Sequence, residues 1–321
     1  MCTAISLTGN RHLAGRTLDL ECTLGENLTL TPEQFPLSFL YGETLYSHHA
    51  LLGVAHIEDG QPLYYDAINN KGLFAAGLNF PHYARYYPQK QGFINLASFE
   101  VIPYILSLCS DLSGAAEELK RINITPDSFS ESLPSTPMHW FFADSKGSLV
   151  AEPDEGGLRV YENPFGVLTN SPPFPHHILR LADFSALSPA PPENNISVHP
   201  IPLYSRGLGA SGLPGDWSSI SRFVRGVYAS THTKGENDIG RFFHVADTVS
   251  VPMGCIQAEN GRDVYTVYTS CGDTSRFAYY LTTYESDKIF GYKPTGGELT
   301  SNRLIVKNLP RPKAFVIFKI F

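Results

Sequence analysis

Residues 1–20 read MCTAISLTGNRHLAGRTLDL, and the fold follows from how this stretch turns back on itself. Thr3 to Leu7 is a short β-prone run, Gly9-Asn10 is a favoured two-residue hairpin turn, and His12 to Leu20 is a second run. With that turn, Cys2 faces Thr17, and Asp19 becomes its diagonal neighbour on the same face. Arg16 then falls on the opposite face, because residues three apart alternate sides on a regular strand. A bulge or a strand end between Gly15 and Asp19 would bring Arg16 back towards Cys2, where its charge would favour a thiolate. The bland alternative is that Arg16 and Asp19 form a surface ion pair.

Cys2 matters because methionine followed by a small residue is readily removed. A chain beginning at Cys2 carries a thiol and a free α-amine together. The amine, with an ordinary pKa of roughly 7.7 to 8, can serve as base for a thiol at roughly 8.5. The dipeptide alone does not distinguish this from an inert buried cysteine.

Working outward, further strands are expected at Leu51 to Ala55, Leu63 to Asp66, Leu73 to Gly77, His139 to Phe142 and Leu149 to Ala151. Helical spacing appears at Ser98 to Cys109, Ser113 to Arg121, Trp217 to Ser230 and Asp238 to Ala246. A Pro-rich stretch, Ser188 to Pro202, reads as a surface excursion, and Asn260-Gly261 as a hairpin joining Cys255 to Ala258 with Val264 to Ser270. Helices and strands come in groups and do not alternate one for one. That predicts a layered α+β sandwich of mostly antiparallel sheets, formed by one domain over 1–321.

The chain has 321 residues, 42% hydrophobic and 17% charged, which suffices for a sizeable core. A net charge of -7 with scattered Lys and Arg argues against nucleic acid as a partner. No apolar run has transmembrane length and the N-terminus lacks the pattern of a secretory leader, so no membrane partner is expected. Five cysteines without a CxxC pair suggest reduced thiols in the cytoplasm and no zinc site, and no metal is expected elsewhere. The His48-His49 and His176-His177 pairs have no ligand spacing and read as surface loops.

MCTAISL with GRTLDL, then GLNF (77–80), LTNSP (168–172), GLPGDWSSISRFVR (212–225), FFH (242–244), SVPMGC (250–255) and YTSC (268–271) resemble, in this order, the choloylglycine hydrolase family of bile salt hydrolases and penicillin V acylases. The resemblance runs through almost the whole chain. It implies a four-layer αββα N-terminal-nucleophile fold, needing no cofactor, that hydrolyses glycine- or taurine-conjugated bile salts as a homotetramer. It assigns Cys2 as nucleophile with its own amine as base, flanked by Arg16 and Asp19. Asn170 and the backbone N–H of Asn79 would form the oxyanion hole, and Arg222 would complete the polar shell. Leu18, Asn79, Ser205 and Arg206 are assigned as substrate contacts, with Ser205-Arg206 resembling a loop that accompanies taurine preference in some relatives.

Without that resemblance, Asn79 and Asn170, each two positions before a proline, read as turn residues, and Arg222 as the solvated face of a helix. The steroid pocket is expected among Leu20 to Leu28, Leu63-Tyr64 and Asn79 to Tyr86. An acylase for penicillin V or other N-acyl amides, or an acyltransferase passing the bile acyl group to another amine, would use the same residues. A silent sterol- or lipid-binding homologue would be expected if Met1 were retained. The apolar end AFVIFKIF has no counterpart in the resemblance.

Overall fold

The computed structural model describes residues 1–235 and 238–309; the AFVIFKIF segment lies outside the described residues. The chain opens with strands β1 (Cys2–Thr8), β2 (His12–Leu20), β3 (Asn27–Thr31), β4 (Leu51–Glu58), β5 (Gln61–Asn69), β6 (Phe74–Asn79) and β7 (Ile94–Ala97). Helices α1 (Val101–Leu108) and α2 (Leu112–Leu119) follow, then β8 (Ile122–Thr125), β9 (Met138–Asp144), β10 (Gly147–Asp154), β11 (Gly157–Glu162) and β12 (Val167–Leu168). After them come α3 (Phe174–Leu181), α4 (Ser219–His232), α5 (Asp238–Asp247), β13 (Tyr265–Asp273), β14 (Ala278–Thr283), β15 (Ser286–Tyr292), α6 (Gly296–Leu299) and β16 (Ile305–Asn308).

Two antiparallel sheets carry the structure, one ordered β12-β1-β2-β13-β14-β15 and the other β11-β10-β9-β6-β5-β4-β3-β16. Alternation along each strand explains the layers. Even-numbered residues of β1 and β2, Cys2, Ala4, Ala14 and Leu18, join Phe74, Leu78, Phe141 and Tyr268 in a core between the sheets. Odd-numbered Ile5, Leu7 and Leu13 instead pack on α5. In β9, Trp140 and Phe142 likewise turn outward against α1 and α2. Because both faces of each sheet are covered, the strands read as nearly continuous apolar runs. The α+β, αββα arrangement expected from the sequence is therefore the observed one.

The first hairpin differs from its expected register. Thr8 pairs with His12, leaving Gly9, Asn10 and Arg11 in the loop, so that Cys2 lies opposite Leu18 and Ala4 opposite Arg16. A two-residue type I′ turn needs positive φ at both central residues, and neither Gly9 nor Asn10 adopts it. Arg11 is drawn into the loop by an ion pair of 3.1 Å with buried Asp273 of β13. The second expected hairpin closes around Gly261 but pairs only at Gln257 and Asp263, so 255–258 forms no strand. The Pro-rich excursion is exposed, as expected.

Gly15 lies where β2 and β13 approach too closely for a side chain: a Cβ there would stand 1.9 Å from the Ser270 carbonyl oxygen. Gly15→Ala should therefore destabilise the protein by about 1–3 kcal/mol, the usual cost of overpacking, read as a lower urea midpoint. An unchanged midpoint would show that β13 moves aside freely.

Candidate active site

The corrected register decides which residues surround Cys2. Cys2, Arg16 and Leu18 share the face between the sheets, while Thr3, Thr17 and Asp19 share the face under the helices. Arg16 and Asp19 thus flank Cys2 from opposite sides without any bulge in β2. The bulges lie elsewhere, at Val267 in β13, which pairs with β2, and at Tyr65 in β5 of the facing sheet. Both guanidiniums and Asp19 are buried, which removes the surface ion pair and the solvated-helix readings.

Arg16 is 1% exposed and depends on backbone carbonyls for its partners. The β5–β6 ladder ends at Asp66 and Ala76, and the bulge at Tyr65 turns its carbonyl aside. Arg16 Nη1 takes the two carbonyls beyond that point, those of Gly77 (2.5 Å) and Tyr65 (3.2 Å), and Nε donates to Thr17 O. Nη2 has no partner among the described residues. Burial opposes the Arg16 charge, but Cys2, Tyr268, Asp66 and Asp19 together outweigh it and hold its pKa above the ordinary value.

Arg222 enters from the other side on α4, whose start is capped by the Ser218 hydroxyl accepting from Ser221 N. Its Nη1 donates to Cys2 O (2.5 Å) and Thr3 Oγ1 (2.7 Å), its Nη2 to Asn170 Oδ1 (2.7 Å) and its Nε to Trp217 O. Burial lowers its pKa against the pull of Asp19, 3.9 Å away, and Cys2. Asp19 itself accepts from Thr266 Oγ1 at 2.7 Å.

Asn170 joins these groups. Its Oδ1 accepts the backbone N–H of Cys2 at 2.8 Å, and its Nδ2 donates to Asn79 O at 2.7 Å. An amide nitrogen carries two protons, so a second N–H remains for another acceptor. Phe80 N donates to Pro137 O on the β9 side, so alternation turns the Asn79 N–H to the opposite edge, where β5 no longer pairs. Two N–H groups are thereby offered beside Cys2.

The turn carrying Asn170 is fixed by residues the sequence reading passed over. Ser219 Oγ accepts Asn170 N, and His177 Nε2 bonds Asn170 O at 2.8 Å. His139 Nε2 bonds Thr169 O while its Nδ1 faces Glu152, which also accepts Phe174 N. His177 and His48 are buried, correcting their assignment to surface loops. Tyr64 is core beneath α1, with its hydroxyl tied to Thr31.

Seven assigned residues, Cys2, Arg16, Leu18, Asp19, Asn79, Asn170 and Arg222, are drawn to one place. Ser205 and Arg206 are not. They lie exposed just beyond the Pro-rich excursion and, among the described residues, make no hydrogen bond or ion pair with the residues around Cys2. A cavity of about 820 Å³ opens between the 20–27 segment and β13 to β15, walled by Glu26, Tyr265, bulged Val267 and Tyr284. Cys2 does not line it, so it neighbours the polar cluster without being its floor. Among the described residues no group of His, Cys, Asp or Glu has a metal-binding arrangement.

A family model for linear amide C–N hydrolases of the choloylglycine hydrolase family matches residues 2–307. The chain is 37% identical to the bile salt hydrolase/transferase of Lactiplantibacillus plantarum over 95% of its own length and 96% of the relative's. It is 32% identical to the conjugated bile acid hydrolase of Lactobacillus acidophilus over 95% and 99%. The crystal structure of a cysteine-to-alanine mutant of conjugated bile acid hydrolase from Clostridium perfringens superposes with a TM-score of 0.93 at 29% identity, covering 99% of this chain and 100% of that one. Penicillin V acylase from Agrobacterium tumefaciens shares the fold, with a TM-score of 0.71 at 20% identity over 90% and 85%.

Two buried histidines, His177 behind Asn170 and His12 at the loop end of the first hairpin, give the protein a pH signature. Burial lowers the pKa of His177 and of His12 from 6.5 to about 4. The unfolded chain then binds more protons than the folded one between those values. The contribution is complete above the unfolded pKa and is lost as pH falls towards the folded one, by about 1.4 kcal/mol per pH unit for each histidine. Urea unfolding between pH 7 and pH 4.5 should show this decline, and His177→Gln should remove about half of the slope if the two act alike. A slope unaltered by the substitution would place the protonation elsewhere.

Proposed function

The chain belongs to the choloylglycine hydrolase family of linear amide C–N hydrolases, and we propose that it releases glycine or taurine from conjugated bile salts with Cys2 as nucleophile. The observation that carries this is the 2.8 Å bond from Cys2 N to Asn170 Oδ1, which ties the nucleophilic residue to an oxyanion donor. Once Met1 is removed, that nitrogen becomes an α-amine held in place. It takes the thiol proton, and the thiolate attacks the amide carbon. Charge developing on the carbonyl oxygen meets the Asn79 N–H and the second N–H of Asn170. Collapse breaks the C–N bond, the Cys2 ammonium protonates the departing amine, and a thioester remains. Water, deprotonated by the same amine, cleaves the thioester and frees the bile acid and the thiol.

In this scheme Arg16 stabilises the thiolate from the inter-sheet side, and Nη2, lacking a protein partner, is the group free to do so. Asp19 and Arg222 fix the backbone at Cys2 and the Asn170 amide. Leu18, buried opposite Cys2, and Asn79, exposed at the end of β6, meet the substrate. Ser205-Arg206 is assigned the conjugate preference, because a guanidinium suits a sulfonate. The reaction needs no cofactor. We assign the whole 1–321 chain to one catalytic domain working in the cytoplasm. All five cysteines are free, and no helix among the described residues is long and apolar enough to cross a membrane. A homotetramer fits the exposed Leu179, Ile196, Val198 and Tyr204.

Cys2→Ala should purify folded and cleave neither taurocholate nor glycocholate, and intact mass should show Met1 missing from the wild type. A folded Cys2→Ala protein working at the wild-type rate would overturn the reading, and faster cleavage of penicillin V than of either bile salt would reassign the substrate. Asn170→Ala should lower kcat by about 10²–10³, the effect of losing one oxyanion donor. Sedimentation velocity should report four copies.

A further inference from the structure

Asp66 of β5 is fully buried, yet nothing in the scheme above uses it. It faces the space between the sheets from the strand position next to the Tyr65 bulge. Three hydroxyls from the opposite sheet converge on its carboxylate: Tyr268 (2.6 Å), Ser270 (2.7 Å) and Tyr279. Ser270 also accepts the backbone N–H of Arg16 at 3.1 Å, so the group that holds Asp66 holds β2 at Arg16 as well. No ion pair within 4 Å joins Arg16 to Asp66 among the described residues, and the two charges act on each other through the buried space between the sheets.

A buried carboxylate that only filled space would be replaced by an apolar side chain at little cost, since its desolvation is expensive. Here it sits beside a guanidinium with one unpartnered nitrogen, and that guanidinium faces Cys2. The groups that act on the Arg16 guanidinium are Cys2, Tyr268, Asp66 and Asp19 from the strands, while Arg222 reaches the Cys2 carbonyl from α4. Without Asp66, the positive groups Arg16 and Arg222 would be opposed only by Asp19 and by Cys2.

We propose that Asp66, held by Tyr268, Ser270 and Tyr279, is the counter-charge that positions Arg16 and tempers its pull on Cys2, so that it sets the pH at which the thiol ionises. Asp66 is a positioning residue, since it touches neither the thiol nor the substrate. The proposal rests on the reading of Cys2 as nucleophile. Burial raises the pKa of Asp66, while Arg16 and the three hydroxyls pull it back towards the charged form. A like charge disfavours the thiolate, so its removal must lower the thiol pKa.

The test is the rate at which iodoacetamide modifies Cys2 as a function of pH, followed by mass spectrometry of the N-terminal peptide so that exposed Cys22 and Cys255 do not contribute. Asp66→Asn keeps the shape and removes the charge. It should move the midpoint of the profile down by about one pH unit, roughly a tenfold gain in thiolate at a fixed pH below it. Asp66→Glu should restore the wild-type midpoint. Tyr279→Phe removes one hydroxyl, keeps the ring and weakens the charged form of Asp66, so it should shift the midpoint the same way by less. This variant decides the question if Asp66→Asn fails to fold. A midpoint that stays or rises in whichever of the two variants folds overturns the role of Asp66. Cys2→Ala separately decides whether Cys2 is the nucleophile at all.

Discussion

The pairing of β1 with β2 is the constraint on which the site depends. Because Cys2 sits opposite Leu18, its side chain and that of Arg16 point between the sheets, while Asp19 points towards the helices. A shift of one residue would exchange every side chain between the faces. It would put Asp19 among the apolar residues of the inter-sheet core and Arg16 under α4 and α5. The loop of three residues and the Arg11–Asp273 ion pair are therefore as much part of the site as Cys2 is.

Two buried guanidiniums then tie the layers together at that strand pair. Arg16 closes the gap where β5 and β6 part, and Arg222 links α4 to β1 and to the Asn170 turn. Each takes backbone carbonyls as well as charged neighbours. That is how buried charges become tolerable: every donor left without an acceptor would cost about 1–3 kcal/mol. The exception, Nη2 of Arg16, has no partner among the described residues, and it lies on the guanidinium that shares the Cys2 face. The bulge at Val267 lies in the ladder that β13 makes with β2, and the one at Tyr65 lies in the facing sheet, where it frees the carbonyl that Arg16 takes.

Rigidity of the Asn170 turn comes from a polar shell on the helix side. His177, Ser219 and the His139–Glu152 pair fix the backbone before and at Asn170. The side-chain amide is then fixed by three different partners, Cys2, Arg222 and Asn79. A donor held in this way needs no reorganisation when charge appears in front of it, which is the basis of oxyanion stabilisation.

Local pattern determined much of this protein. The runs at Thr3 to Leu7, His12 to Leu20 and Leu73 to Gly77 became strands because they are short β-prone runs bounded by turn residues and buried on both faces, and Trp217 to Ser230 became a helix because its apolar residues recur at helical spacing. The ordered motifs from MCTAISL to YTSC identified the family. Cys2, Arg16, Asp19, Asn79, Asn170 and Arg222 were all legible as polar residues in those motifs, whereas Asp66, His139, Glu152 and His177 were not, since nothing near them in sequence names their partners. Only the tertiary structure decided the face on which each residue lies. The hairpin register turned on the backbone angles of Gly9 and Asn10 and on an ion pair to Asp273, a residue far away in the chain. No bulge in β2 was needed, because with Cys2 opposite Leu18 the alternation of the strand puts Arg16 on the Cys2 face and Asp19 on the other.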